Sequence, residues 1–121
     1  MVVEDEHPLR LAVTKMLGKA GFSVLQVDNG SEAIELLRAS AREIDVILLD
    51  LTIPGAPSDE VLAEAERVRP NVKVILTSAY SEEKAKSDLQ TSLVRGFVRK
   101  PFQFEKLVQT VRNVLTARVT A

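Results

Sequence analysis

The 121-residue chain has no cysteine and no tryptophan, and its only histidine is His7. Without cysteine there can be neither a disulfide framework nor a thiolate metal site, which fits a reducing compartment. A single histidine also speaks against a transition-metal centre. No apolar run approaches the roughly 20 residues needed to cross a bilayer. The opening Met1-Val2-Val3-Glu4 is neither a signal peptide nor an amphipathic transit sequence, so a cytoplasmic location is expected. The net charge of -1 gives no reason to expect direct contact with nucleic acid or an anionic membrane. The phosphate-cradling patterns GxxxxGK[ST] and GxGxxG are both absent, so any phosphoryl donor should come from outside the chain.

What the chain does contain is an alternation of short β-like runs with longer helical stripes, over one domain, residues 1–121. The first run ends at Glu4. Leu9, Ala12, Val13, Met16, Leu17 and Ala20 then form a stripe over Pro8–Ala20, with Pro8 suited to a first turn and Gly21 to a left-handed stop. A strand is expected over Ser23–Val27 and a helix over Glu32–Ala41, punctuated by Asn29-Gly30-Ser31. The continuous apolar middle of Asp45–Asp50 marks a central strand buried on both faces. Helices are expected over Ser58–Arg69, Ser81–Leu93 and Gln103–Ala117, and strands over Val72–Thr77 and Gly96–Val98. Five strands alternating with five helices predict an α/β, doubly wound, parallel sheet covered on both faces.

In such a sheet the crevice lies beyond the carboxyl ends of the strands, at the switch in strand order. The residues at those ends are Glu4 and Asp5, Asp50, Thr77 and Ser78, and Lys100 and Pro101. Acids crowded together must take up a proton or bind a cation. Oxygen-only donors suit a hard ion such as Mg²⁺, the expected cofactor. Lys100 adds a compact positive charge, and metal with ammonium suits phosphoryl transfer, for which Asp50 is the natural nucleophile.

Four stretches carry a resemblance across nearly the whole chain. They are Val2-Val3-Glu4-Asp5-Glu6, Ile47-Leu48-Leu49-Asp50-Leu51-Thr52-Ile53-Pro54-Gly55, Val74-Ile75-Leu76-Thr77-Ser78-Ala79-Tyr80 and Gly96-Phe97-Val98-Arg99-Lys100-Pro101-Phe102. In this order and spacing the chain resembles the response regulator receiver domains of two-component systems, most closely those of hybrid sensor histidine kinases. The resemblance implies a flavodoxin-like sheet of strand order 2-1-3-4-5. It implies that Glu4, Asp5, Asp50 and the Thr52 carbonyl serve Mg²⁺, that Asp50 accepts the phosphoryl group, and that Lys100 contacts that group. Ser78 and Phe97 become the switch pair, and the bond to Pro101 is expected to be cis. The donor becomes a histidine kinase or histidine phosphotransfer protein, and a homodimer through the last two helices is a further expectation.

Ser58 stands where the family usually has glycine, and Leu93 where it has glycine or a small residue. The first strand lacks its usual opening residues and no output domain follows Ala121, which reads as a fragment of a longer chain. Three other readings stand beside this one. The receiver could belong to a stand-alone or DNA-binding response regulator. A receiver-like interaction module that works without phosphorylation would normally be eroded at Asp5, Asp50 or Lys100. A small phosphatase using an aspartyl-phosphate would need a second acid where Thr52 stands.

Overall fold

The computed structural model describes residues 1–81 and 93–116. Its strands are β1 (Val2–Val3), β2 (Gln26–Val27), β3 (Val46–Asp50), β4 (Lys73–Ser78) and β5 (Val94–Arg99). Its helices are α1 (His7–Lys19), α2 (Gly30–Ser40), α3 (Ser58–Val68) and α4 (Phe104–Thr116), with a 3₁₀ turn over Ala41–Glu43. All neighbouring strands run parallel, as the sequence pattern predicts, in the order β2-β1-β3-β4-β5 that the resemblance implies. The helix expected over Ser81–Leu93 falls on residues 82–92, outside the described residues.

Successive side chains of a strand point to opposite faces, so each strand feeds two cores. Val3, Ile47, Leu49, Val74 and Leu76 enter the core shared with Ala33, Leu37, Val61 and Ala65 of α2 and α3. Val2, Leu48, Ile75 and Val98 enter the other, with Val13 and Leu17 of α1 and Leu107, Val111 and Val114 of α4. The uninterrupted apolar reading of β3 follows directly from this double burial. Pro8 lies in the first turn of α1, and Gly21 adopts φ +100° just beyond its end.

Two strands differ in length from the sequence reading. β2 is confined to Gln26–Val27 rather than Ser23–Val27, because its neighbour β1 offers only Val2 and Val3 for pairing. β5 is longer than Gly96–Val98, because β4 pairs with it from Val94 to Arg99 across an irregularity between Val74 and Ile75.

The chain leaves β1 toward β2 on one side and reaches β3 on the other. The switch in strand order therefore falls between β1 and β3, which places Glu4 and Asp5 next to Asp50.

Candidate functional site

Asp50 is the last residue of β3 and Glu4 follows β1; both are buried, whereas Asp5 is exposed. Thr52 turns back on Asp50, its N–H and its hydroxyl each donating to Asp50 Oδ1 at 3.1 Å. Lys100 follows β5 and reaches across β4. Its Nζ lies 3.0 Å from Asp50 Oδ2 and 2.6 Å from Glu4 Oε1. The other Glu4 oxygen accepts from the N–H of Glu6 at 3.2 Å. Ser78 ends β4, almost fully buried; its hydroxyl oxygen accepts from the Tyr80 N–H at 3.0 Å, and its carbonyl from the Lys100 N–H at 2.8 Å. The Lys100–Pro101 peptide bond is cis.

Three carboxylates and one ammonium share this pocket, and their protonation shows the imbalance. Burial pushes the Glu4 carboxyl from 4.5 up to about 7; Lys100 opposes the shift and Asp50 adds to it. Burial also opposes ionisation of Asp50, but the Thr52 N–H and Lys100 outweigh it and hold that carboxyl below its usual range. Desolvation works against the charge on Lys100, yet Glu4 and Asp50 together keep it protonated above the usual range. An ionised, hydrogen-bonded Asp50 beside a carboxyl whose ionisation is held back to about pH 7 is a pocket short of positive charge. Glu4, Asp5 and Asp50 each offer a carboxylate oxygen, and these oxygens lie within 4.8 Å of one another. An all-oxygen donor set of this kind fits a hard divalent cation such as Mg²⁺.

The sequence profile of the response regulator receiver domain matches residues 1–112. The chain belongs to this family. Its relatives include the sensor kinase CckA of Brucella abortus, 30% identical over 95% of this chain, and the chemotaxis protein CheY of Thermotoga maritima, 26% identical over 94%. This chain spans only 12% of CckA but 94% of CheY. Among solved structures, a response regulator receiver protein from Sinorhizobium medicae superposes with a TM-score of 0.84 at 27% identity, covering 96% of this chain and 92% of that one. The chain is thus a receiver domain of two-component signalling, a class that takes phosphoryl groups from histidine kinases or phosphotransfer proteins. No helix among the described residues is long and apolar enough to cross a membrane.

The receiver gathers Glu4, Asp5, Asp50, Thr52 and Lys100 at one place, with Ser78 next to them through the Lys100 backbone. Phe97 lies two positions inside the end of β5, half-buried against the core of α2 and α3. His7 is exposed, its Nδ1 2.6 Å from Arg10 Nη2, and takes no part in the pocket. Tyr80 is exposed. Leu93 is buried in the core, with its carbonyl accepting from the Val74 N–H at 2.9 Å.

Sequence reasoning singled out Ser58 only as a departure from glycine. In the receiver its buried hydroxyl lies 3.4 Å from the Asp50 carbonyl oxygen, as donor. The β1–β3 register ends at the pair Val3–Leu49, one residue short of Asp50. Ser58 thus supplies a polar contact to the backbone of Asp50 where that pairing stops. A small polar residue opening a helix eight positions after the acid was the only signal for it.

The Glu4 shift has a measurable consequence. Between about pH 4.5 and 7 the folded state holds the Glu4 proton while the unfolded chain has released it. The folded state then binds more protons, so this contribution to stability is full below about 4.5 and is lost as pH rises through about 7. Asp50, lowered from 3.8, has gained its whole contribution below this window and adds no slope within it. Over the upper part of this range the Met1 amine works in the opposite direction, since burial lowers its pKa from 8.0 to about 6. In metal-free buffer the fall from about pH 5 to 7.5 is therefore expected in the melting temperature of the wild type relative to that of Glu4→Gln. A difference that does not change with pH would show that Glu4 does not carry this dependence.

Proposed function

We propose that this receiver captures a phosphoryl group on Asp50 from a phosphohistidine of a partner protein, in a Mg²⁺-dependent reaction. The observation that carries the reading is Asp50 itself, a buried carboxylate kept ionised, gripped by Thr52 on one oxygen and by Lys100 on the other. Glu4, Asp5, Asp50 and the Thr52 carbonyl would hold the cation, Asp5 directly and Glu4 through water. When bound, Mg²⁺ neutralises the carboxylates and stabilises the charge on the phosphoryl oxygens.

The partner's imidazole and an Asp50 oxygen take opposite sides of the phosphorus. The P–O bond to Asp50 forms as the P–N bond breaks, and the imidazole leaves neutral, keeping the electron pair and the proton on its other nitrogen. Lys100 turns from Glu4 and the Asp50 carboxylate to the phosphoryl oxygens, where its charge favours the transition state. A cleft of about 470 Å³ beside Lys100, lined by Glu6, Leu9, Ala79, Pro101 and Phe102, offers apolar walls for partner side chains flanking the phosphohistidine.

Phosphorylation then biases two conformations. Ser78 Oγ accepts the Tyr80 N–H, which leaves its own proton to donate to a phosphoryl oxygen. Movement of Ser78 toward Asp50 draws the β4 end inward, and Phe97, on the neighbouring strand, turns with it. The changed face then serves as the output surface, including a homodimer through α4 and the segment 81–93, of which residues 82–92 lie outside the described residues.

The 30% identity to the sensor kinase CckA supports a parent hybrid sensor histidine kinase, and the reading includes action in the cytoplasm without contact to membrane or nucleic acid. The donor is tested by mixing the receiver with a histidine phosphotransfer protein carrying a labelled phosphohistidine. Label is expected to move to the receiver only with Mg²⁺ present. Label that stays on the donor, while acetyl phosphate does modify the receiver, would contradict the proposed donor class.

A further inference from the structure

Residues 51–57 must hold Thr52 against the Asp50 carboxylate while Pro54, Gly55 and Pro57 carry the chain into α3. The grip on this loop comes from the first turn of α2. The Gly30 N–H donates to the Pro54 carbonyl at 3.0 Å, and the Ala56 N–H donates to Ser31 Oγ at 3.3 Å. Between those two points Gly55 sits at φ +79°, and a Cβ there would come within 3.0 Å of Ser31 Oγ. Gly30 is packed so closely that a Cβ would lie 1.8 Å from the Ala56 carbonyl oxygen. The turn that does the gripping is itself fixed, because the Asn29 side chain caps α2 by accepting the Glu32 N–H at 2.8 Å.

We infer that Ser31 is a positioning residue for Asp50: its hydroxyl pins Ala56, the pinned loop keeps Thr52 in place, and Thr52 orients the acceptor oxygen. The inference rests on the reading of Asp50 as the phosphoacceptor. Ser31 is exposed and touches neither the acids nor Lys100, so its effect reaches the chemistry only through the loop. Losing one hydrogen bond of this kind weakens the populated geometry by about threefold to tenfold.

The test compares the wild type, Ser31→Ala and Ser31→Thr in two assays. One is the rate of phosphorylation by acetyl phosphate with Mg²⁺. The other is backbone amide exchange of Thr52 and Ala56 with no phosphodonor or metal present. Ser31→Ala is expected to slow phosphorylation and to speed exchange at both amides by about threefold to tenfold, with Ser31→Thr restoring both. Unchanged exchange at Thr52 in Ser31→Ala overturns the inference, whatever the rate does. A wild type that takes no phosphoryl group overturns the acceptor reading instead, and the exchange assay still decides whether Ser31 holds the loop.

Discussion

Lys100→Met is expected to slow phosphorylation of this receiver by about a hundredfold, the effect typical of removing one preorganised charge from a developing anion. The ammonium is the one cationic side chain that touches both buried acids, at 2.6 Å from Glu4 and 3.0 Å from Asp50 among the described residues. Methionine keeps the length of the stem and removes the charge, so packing changes little. Lys100→Arg keeps the charge but brings a planar fork in place of a compact ammonium, and should fall between the two. The rate of mass gain with acetyl phosphate measures all three proteins. A Lys100→Met rate within about twofold of wild type would mean that the ammonium only balances the resting acids and does not serve the reaction.

Gly30→Ala is expected to destabilise the fold by about 3 kcal/mol, at the upper end of what overpacking costs. A Cβ at this site would sit 1.8 Å from a backbone oxygen, that of Ala56, which cannot rotate away as a side chain could. The loop after Asp50 would have to shift as a unit, so phosphorylation should suffer together with stability. Gly18 is the contrasting case. It lies inside α1 with nothing within 4 Å of its would-be Cβ, and Gly18→Ala should gain about 0.5–1 kcal/mol through helix propensity alone. Chemical denaturation of the two variants checks both signs.

The contrast between these glycines also shows what a sequence reveals and what it hides. The apolar run ending in Asp50, and the acids after β1, are visible because strand burial and strand-end chemistry depend on neighbours along the chain. Parallel pairing then brings those ends together without further information, which is why Glu4, Asp5, Asp50 and Lys100 are legible as one cluster from the strand ends, whereas Thr52 enters only through the family resemblance. Asn29-Gly30-Ser31 reads only as punctuation, since its partners, Pro54 and Ala56, are remote in sequence. A glycine opening a helix behind an asparagine cap has no propensity reason to be there, and that mismatch is the one hint the chain offers. The Ser58 contact to the Asp50 carbonyl is hidden for a related reason. It depends on where the β1–β3 pairing stops, and the length of a pairing is set by the neighbouring strand. The same dependence shortens β2 relative to its apolar pattern.

The central claim is that Asp50 is the residue that receives the phosphoryl group. Intact-mass analysis after incubation with acetyl phosphate, with and without Mg²⁺, on the wild type and on Asp50→Asn, tests it most directly. The account predicts a gain of one phosphoryl mass in the wild type that requires Mg²⁺ and is absent from Asp50→Asn. An equal gain in Asp50→Asn, or no gain in the wild type with Mg²⁺ present, would contradict it.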